Sequence, residues 1–179
     1  MSAKEKGYEV LLLDSPIIPH LIQKLESKND KIKFSRVDSD TLENLIKKDD
    51  QVVSKLSDEE KDKLKPMIET AVSEDKYTVQ LEPLDSKSLP FMLAQPEFMR
   101  RMKDMQQTGG GGGMGNMPDM YSLIVNTNHE LVSKILNTRT EKKRNSLIKQ
   151  SVDLAKLSQN TLTGKELTEF INRSIDLIK

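Results

Sequence analysis

Five consecutive glycines, Gly109, Gly110, Gly111, Gly112 and Gly113, interrupt this chain. Neither a helix nor a strand runs through such a stretch, because glycine loses more backbone freedom on ordering than any other residue. The fold is therefore assembled from what lies on either side of a flexible loop. Before it, QPEFMRRMKDM predicts a helix from Pro96 in which Phe98, Met99, Met102 and Met105 share a face, with Arg100, Arg101, Lys103 and Asp104 opposite. After it, methionine recurs at Met114, Met117 and Met120, and YSLIV (residues 121–125) reads as a strand. Six of the nine methionines lie between Met99 and Met120. Methionine is unbranched and polarizable and adapts to varied apolar surfaces. Such a face has two readings: ordinary core, or a flexible binding surface of the kind used for many partners.

The rest of the chain supplies periodic elements. YEVLLL (8–13) predicts a short buried strand, and Ser15 with Pro16 a helix start for IIPHLIQKLE. IKFSRV (32–37) alternates as a strand, and Asp40 with Glu43 caps a short helix, TLENLIKK. Together they form a small βαβα unit, too small to bury much surface alone. Ser57 and Glu60 are spaced as a capping box for a helix through Leu64, Met67, Ile68 and Val72, with Pro66 placed to kink it. Strands follow at 77–84 and 89–94, with the turn at Asp85-Ser86-Lys87-Ser88; Tyr77, Val79 and Leu81 mark one buried face. Thr127 with Glu130, Thr138 with Glu141 and Thr163 with Glu166 are spaced to cap three closing helices. The expected class is α+β, with a three-stranded sheet in the second unit.

The last two helices carry the clearest stripes. In the helix over 141–159 the apolar positions include Leu147, Leu154 and Leu157. In the last helix, Leu167, Phe170, Ile171, Ser174, Ile175 and Ile178 recur at helical spacing. Two such helices either pack only on their own domain or meet a second copy as a four-helix bundle.

Little else points to chemistry. The glycine run follows a helix rather than a strand and no lysine succeeds it, so it does not match the Walker phosphate-loop motif, and Thr163-Gly164-Lys165-Glu166 also lacks the required spacing. His20 and His129 lack metal-ligand spacing, and with no cysteine there is neither a disulfide nor a thiolate site. Ser15 sits in DSPI rather than a nucleophile elbow. The chain reads as a non-enzyme without metal or cofactor. Lys plus Arg equals Asp plus Glu at 28 each, so no net field favours nucleic acid or an anionic membrane. No run approaches the ~18 apolar residues of a membrane span, and the cysteine-free composition suits a reducing cytoplasm.

Taken in order, these segments are familiar. GYEVLLLDSPI with KLE, then IKFSRVDSD, resembles the end of the middle domain of the heat shock protein 90 chaperone family, its bacterial members above all. The helix after it, YTVQLEPLD, LPFMLA, PEFMRRMKDM and the three closing helices resemble that family's C-terminal domain. EFMRRMKDM, the glycine loop, VNTNHELVSKIL and DLAKLSQ are specific in order and spacing, and the resemblance covers essentially the whole chain. It implies that residues 1–52 are the end of a middle domain and 53–179 a C-terminal dimerisation domain ending in a helical hairpin. It implies a homodimer through Leu147, Leu154, Leu157, Leu167, Phe170, Ile171, Ile175 and Ile178. It implies that Phe98, Met99, Met102 and Met105 touch unfolded client proteins, on a helix the glycines let move. The family binds ATP and Mg in an N-terminal domain absent here, so no ATPase is expected. The chain ends DLIK, without the acidic tail that recruits TPR cochaperones in eukaryotic cytosolic members, so that partner is not expected. The alternatives are a generic dimeric α+β scaffold whose methionine helix is ordinary core, and a phosphate-dependent enzyme using the glycine loop.

Overall fold

The structure is a computed structural model describing residues 7, 9–15, 17–37, 52–72, 77–96, 99–101 and 121–178. The chain divides into two compact units, residues 1–49 with 94–120, and residues 50–93 with 121–179. Its class is α+β, as expected.

The second unit is built on a three-stranded sheet. Its strands are β1 (Tyr77–Glu82), β2 (Phe91–Ala94) and β3 (Tyr121–Asn126), in the order β1-β3-β2. β1 runs parallel to β3, with Tyr77 opposite Tyr121 and Glu82 opposite Asn126. Position explains composition. Central β3 is covered on both faces, so LIV is a continuous apolar run, whereas β1 alternates buried Val79 with exposed Thr78 and Gln80. Asp85 turns the chain after β1: its side chain accepts from the Lys87 N–H at 2.8 Å and its carbonyl from the Ser88 N–H at 2.9 Å. That turn does not make a hairpin, because β3 lies between the strands it connects.

Among the described residues, four helices belong to this unit: α2 (Asp58–Ala71), α3 (Glu130–Asn137), α4 (Glu141–Ser158) and α5 (Gly164–Ile178). The capping box expected for α2 is present, with the Glu60 N–H donating to Ser57 Oγ and the Ser57 N–H to Glu60 Oε2. α2 continues through Pro66, which lies on its exposed side. Leu64 and Ile68 of α2, Leu123 and Val125 of β3, Val132 and Ile135 of α3 and Ile148 and Val152 of α4 form one core. Fully burying such a side chain is worth about 1.5–3 kcal/mol.

Two of the expected caps are made differently. Thr127 does not cap α3. It is fully buried, and its hydroxyl lies 3.0 Å from Ser54 Oγ and 3.3 Å from the Glu82 carbonyl. His129 is the cap instead, its Nδ1 accepting from the Leu131 N–H at 3.0 Å. Thr138 ends α3 rather than starting α4, donating to the Lys134 carbonyl at 2.7 Å; α4 begins after Thr140 with no side-chain cap. In both places the threonine's hydroxyl donates to a backbone carbonyl rather than accepting from the first N–H groups of the next helix.

The stretch Asn126-Thr127-Asn128 is a polar knot. Asn126 Oδ1 accepts from the Leu84 and Asn128 N–H groups, and its Nδ2 donates to the Asp85 carbonyl. Asn128 Oδ1 accepts from the Lys55 N–H at 2.6 Å, and its Nδ2 donates to the Val53 and Leu84 carbonyls. These side chains satisfy the backbone where β1 ends and where the chain enters α2, which ladder bonds do not reach.

In the first unit, α1 (Ile18–Lys28) is the expected helix, shifted. Ser15 does not cap it: Ile17 is the N-cap residue without a side-chain bond, and Pro19 occupies the first turn. The expected strands at 8–13 and 32–37 are not found over the described residues 9–13 and 32–36, so the βαβα arrangement is not present there. A strand needs a ladder partner and apolar cover. Leu11 and Leu12 are 69% and 92% exposed, and the backbone N–H and carbonyl of Phe34 are taken by side chains. The expected helix over 41–48 lies outside the described residues.

Candidate functional site

The candidate residues fall into two groups. The first is the pair α4 and α5. Helix α4 turns its inner face, Ile148, Ser151, Val152 and Ala155, into the core. It ends in a Schellman turn, with Asn160 left-handed at φ 55°. The Thr161 N–H bonds the Lys156 carbonyl and the Asn160 N–H that of Leu157. The chain then re-enters a helix at Gly164, and α5 packs back along α4.

Charged groups fasten the hairpin. Asp153 of α4 is buried and pairs with Arg173 of α5; Lys156 lies 3.8 Å from Asp153 Oδ1 and 3.2 Å from Glu166 Oε1. Burial pushes the Asp153 carboxyl up, against the pull of Arg173 and Lys156. Burial also works against the charge of Lys156, but Tyr77 and Glu166 outweigh it and raise its pKa. The Lys156 ammonium sits 5.6 Å from the centre of the Tyr77 ring. Gln150 donates to Ser174 Oγ at 2.8 Å. Asp153 and Arg173 were not singled out by sequence reading, since nothing local marks a pair 20 residues apart.

The apolar candidates divide by exposure. Leu147 is half-buried and packs against the unit's own core. Leu167 and Phe170 are half-buried. Leu154, Leu157, Ile171, Ile175 and Ile178 are exposed, Ile178 to 85%. The hairpin thus carries an uncovered apolar face on both helices.

The second group of candidates is the methionine segment. Its described part is short. Residues 99–101 are helical, the Arg100 N–H bonds the Pro96 carbonyl at 3.2 Å, and Met99 is half-buried. Phe98, Met102, Met105 and Gly109 to Gly113 lie outside the described residues. Arg101 grips Glu26 of α1 with both nitrogens, NH1 to Oε2 at 2.7 Å and NH2 to Oε1 at 3.2 Å. NH2 also donates to the Phe34 carbonyl at 2.9 Å, while the Phe34 N–H donates to Glu26 Oε1 at 2.8 Å. The Arg101 guanidinium, the Phe34 N–H and Lys33 hold the Glu26 carboxyl down to about 2.

A lowered carboxylate pKa stabilises the folded state above the unfolded value of 4.5, and that stability is lost as pH falls towards 2. Both partners are partly solvated, so the contribution is about 1–2 kcal/mol rather than the full value of the shift. The Phe34 amide proton, followed by NMR, should titrate with a midpoint near 2. A midpoint at 4.5, the ordinary glutamate value, would show that the cluster does not form in solution.

Among the described residues, no group of three or more His, Cys, Asp or Glu is arranged to hold a metal ion. Among them, too, no helix is long and apolar enough to cross a membrane.

No family model matches the chain. Curated relatives do. The chaperone protein HtpG of Porphyromonas gingivalis is 40% identical over 159 residues, covering 87% of this chain and 23% of that protein. The HtpG proteins of Bacteroides thetaiotaomicron and Bacteroides fragilis are each 36% identical, over 76% and 75% of this chain and 21% and 20% of their own lengths. The chain therefore spans between a fifth and a quarter of the length of the relatives it matches. At this identity, over most of its own length, it belongs to the HtpG chaperones of the heat shock protein 90 family.

Proposed function

We propose that this chain is the C-terminal part of an ATP-dependent cytoplasmic chaperone, that it pairs as a homodimer through α4 and α5, and that its methionine segment contacts unfolded client proteins. The uncovered apolar face of Leu154, Leu157, Ile171, Ile175 and Ile178, on a hairpin that closes an HtpG-related chain, carries the reading. Each hairpin is half of a four-helix bundle, and a two-fold axis brings the same face of a second copy onto it. On this reading ATP binding and hydrolysis belong to parts of the protein beyond this stretch, and the stretch itself takes no cofactor, nucleic acid, membrane or TPR partner.

For the client surface the deciding experiment is substitution of Met99, Met102 and Met105 by glutamate. The variant is expected to keep its unfolding midpoint and to lose most of the chain's suppression of aggregation of a denatured protein. The half-burial of Met99 favours the other reading, in which this face is ordinary core. Unfolding of the triple variant would establish that reading and end the client assignment.

A further inference from the structure

Helix α4 serves two neighbours. Ile148, Val152 and Ala155 are buried in the core of the sheet unit. Towards α5 the helix offers polar groups instead. Asp153, only 4% exposed, pairs with Arg173. Gln150 Nε2 donates to Ser174 Oγ at 2.8 Å, and that hydroxyl donates to the Phe170 carbonyl at 2.8 Å. Two further atoms of the same residues, Arg173 Nε and Gln150 Oε1, are buried and take part in no hydrogen bond among the described residues. Lys156 reaches Asp153 Oδ1 at 3.8 Å and Glu166 Oε1 at 3.2 Å and lies over the Tyr77 ring of β1. The polar seam is thereby referenced to the sheet.

Apolar packing does not fix α5 in the same way. Among its described side chains none is fully buried, and Leu167 and Phe170 are half-buried. Val132 and Ile135 of α3, by contrast, are wholly enclosed. A helix seated on partly covered apolar groups loses little when it slides by a turn, because hydrophobic contact is non-directional. The polar groups are directional. A buried carboxylate that loses its partner is strongly penalised, whereas an intact buried pair adds little over apolar residues of similar volume. Asp153 with Arg173 therefore separates one alignment of the two helices from its neighbours rather than strengthening the hairpin. The unbonded Nε and Oε1 fit that role, since a seam built for strength leaves no buried donor or acceptor over.

The alignment has a consequence at the exposed apolar residues. Leu154 and Leu157 directly follow Asp153 and Lys156, and Ile171 and Ile175 bracket Arg173 and Ser174 in sequence. All four are exposed. A slide of one turn moves the isoleucines about 5.4 Å past the leucines. That is roughly the spacing of neighbouring side chains on a helix, so ridges that filled the grooves of a second copy then meet its ridges.

We propose that Asp153 and Arg173, flanked by Gln150 and Ser174, form a polar key that sets the register of α5 on α4 and thereby the apolar face that a second copy recognises. The key is a statement about the single chain; its effect on pairing rests on the homodimer reading above. These are positioning residues, acting through the exposed leucines and isoleucines.

The test compares the full chain with two variants. Asp153→Leu with Arg173→Met replaces the pair by apolar groups, and Asp153→Asn keeps an acceptor for Arg173. Register is read as the distance between two spin labels. The chain has no cysteine, so Lys142→Cys and Asn172→Cys, both at exposed positions, provide one labelled pair, and an excess of unlabelled chain removes distances between copies. Pairing is read by sedimentation equilibrium. Stability is read as the urea midpoint in the background of Ile171→Glu with Ile175→Glu, which takes pairing out of the comparison. The parent and Asp153→Asn are expected to show a single distance and dissociation constants within about threefold of each other. The apolar pair is expected to keep or raise the urea midpoint, to show a second or broadened distance, and to raise the dissociation constant about tenfold or more. The parental single distance in the apolar pair overturns the key. A lowered urea midpoint or loss of folding also overturns it, by making the ion pair a source of strength. A second distance in Asp153→Asn overturns it as well, because the acceptor is retained there. An altered distance with unchanged pairing overturns the effect on dimerisation alone. A parent that is monomeric throughout ends the homodimer reading, and the label distances then still decide the key.

Discussion

Asn126→Ala is expected to lower the stability of the sheet unit by about 3–5 kcal/mol, the loss that follows when several buried polar groups lose one partner. The side chain is fully buried at the end of the central strand. Its removal leaves the Leu84 N–H, the Asn128 N–H and the Asp85 carbonyl without the bonds they now make at 3.2, 3.0 and 2.8 Å. Each such group costs about 1–3 kcal/mol when left unsatisfied, and the spread reflects how far water reaches it. The effect spreads because Asn128, positioned by its own N–H bond to Asn126, holds the Val53 carbonyl and the Lys55 N–H at the entry to α2. Urea denaturation followed by far-UV circular dichroism reads the loss, with Gln80→Ala on the exposed side of β1 as a control expected to stay within about 0.5 kcal/mol. A change below about 1 kcal/mol in the asparagine variant would mean that water replaces these bonds without cost and that the knot is not structural.

That knot also shows where reading the sequence stops. The three strands of the second unit, the closing helices and the Ser57 capping box follow from patterns of two, three and four residues, and the structure places them within a few positions of the expectation. VNTN carried no such pattern. The rule that puts a threonine three residues before a glutamate assigned Thr127 to a helix cap, whereas burial drew it to Ser54, 73 residues away, and left the cap to His129. A cap is a local preference of about 1 kcal/mol, smaller than the cost of leaving buried peptide groups unpaired. The first unit failed differently. YEVLLL and IKFSRV have strand composition, but composition does not supply a neighbouring strand, and Glu26 and Arg101 claim the backbone N–H and carbonyl of Phe34. The apolar stripes of α4 and α5 were legible as stripes. Their division was not: periodicity puts Leu147 and Leu154 on one stripe, yet Leu147 packs on the unit's own core while Leu154 is 50% exposed. A stripe wider than one interface has an inner and an outer edge, and only tertiary packing tells them apart.

The outer edge is where the dimer reading meets its hardest test. Ile171→Glu with Ile175→Glu is expected to convert a dimer into a monomer, raising the dissociation constant by about a thousandfold or more. Ile171 and Ile175 are 48% and 47% exposed on the single chain, so glutamates there face water in the monomer and remain good helix formers. In a two-fold bundle each substitution occurs twice. Four apolar contacts are then lost at about 1 kcal/mol apiece, and four carboxylates are either desolvated or forced to turn away from the seam. Even the apolar loss alone, about 4 kcal/mol, corresponds to roughly three powers of ten. Asp153 and Arg173 lie in the contact between α4 and α5 of one chain, so the hairpin itself should survive and the unfolding midpoint at low protein concentration should not move. Sedimentation equilibrium on the parent chain and the double variant distinguishes the outcomes. A parent of twice the chain mass and a variant of single mass, both folded, places the interface on this face. A variant that stays dimeric moves the interface elsewhere. A parent that is monomeric at micromolar concentration removes homodimerisation from the proposed function and leaves the exposed isoleucines to be covered by a different partner.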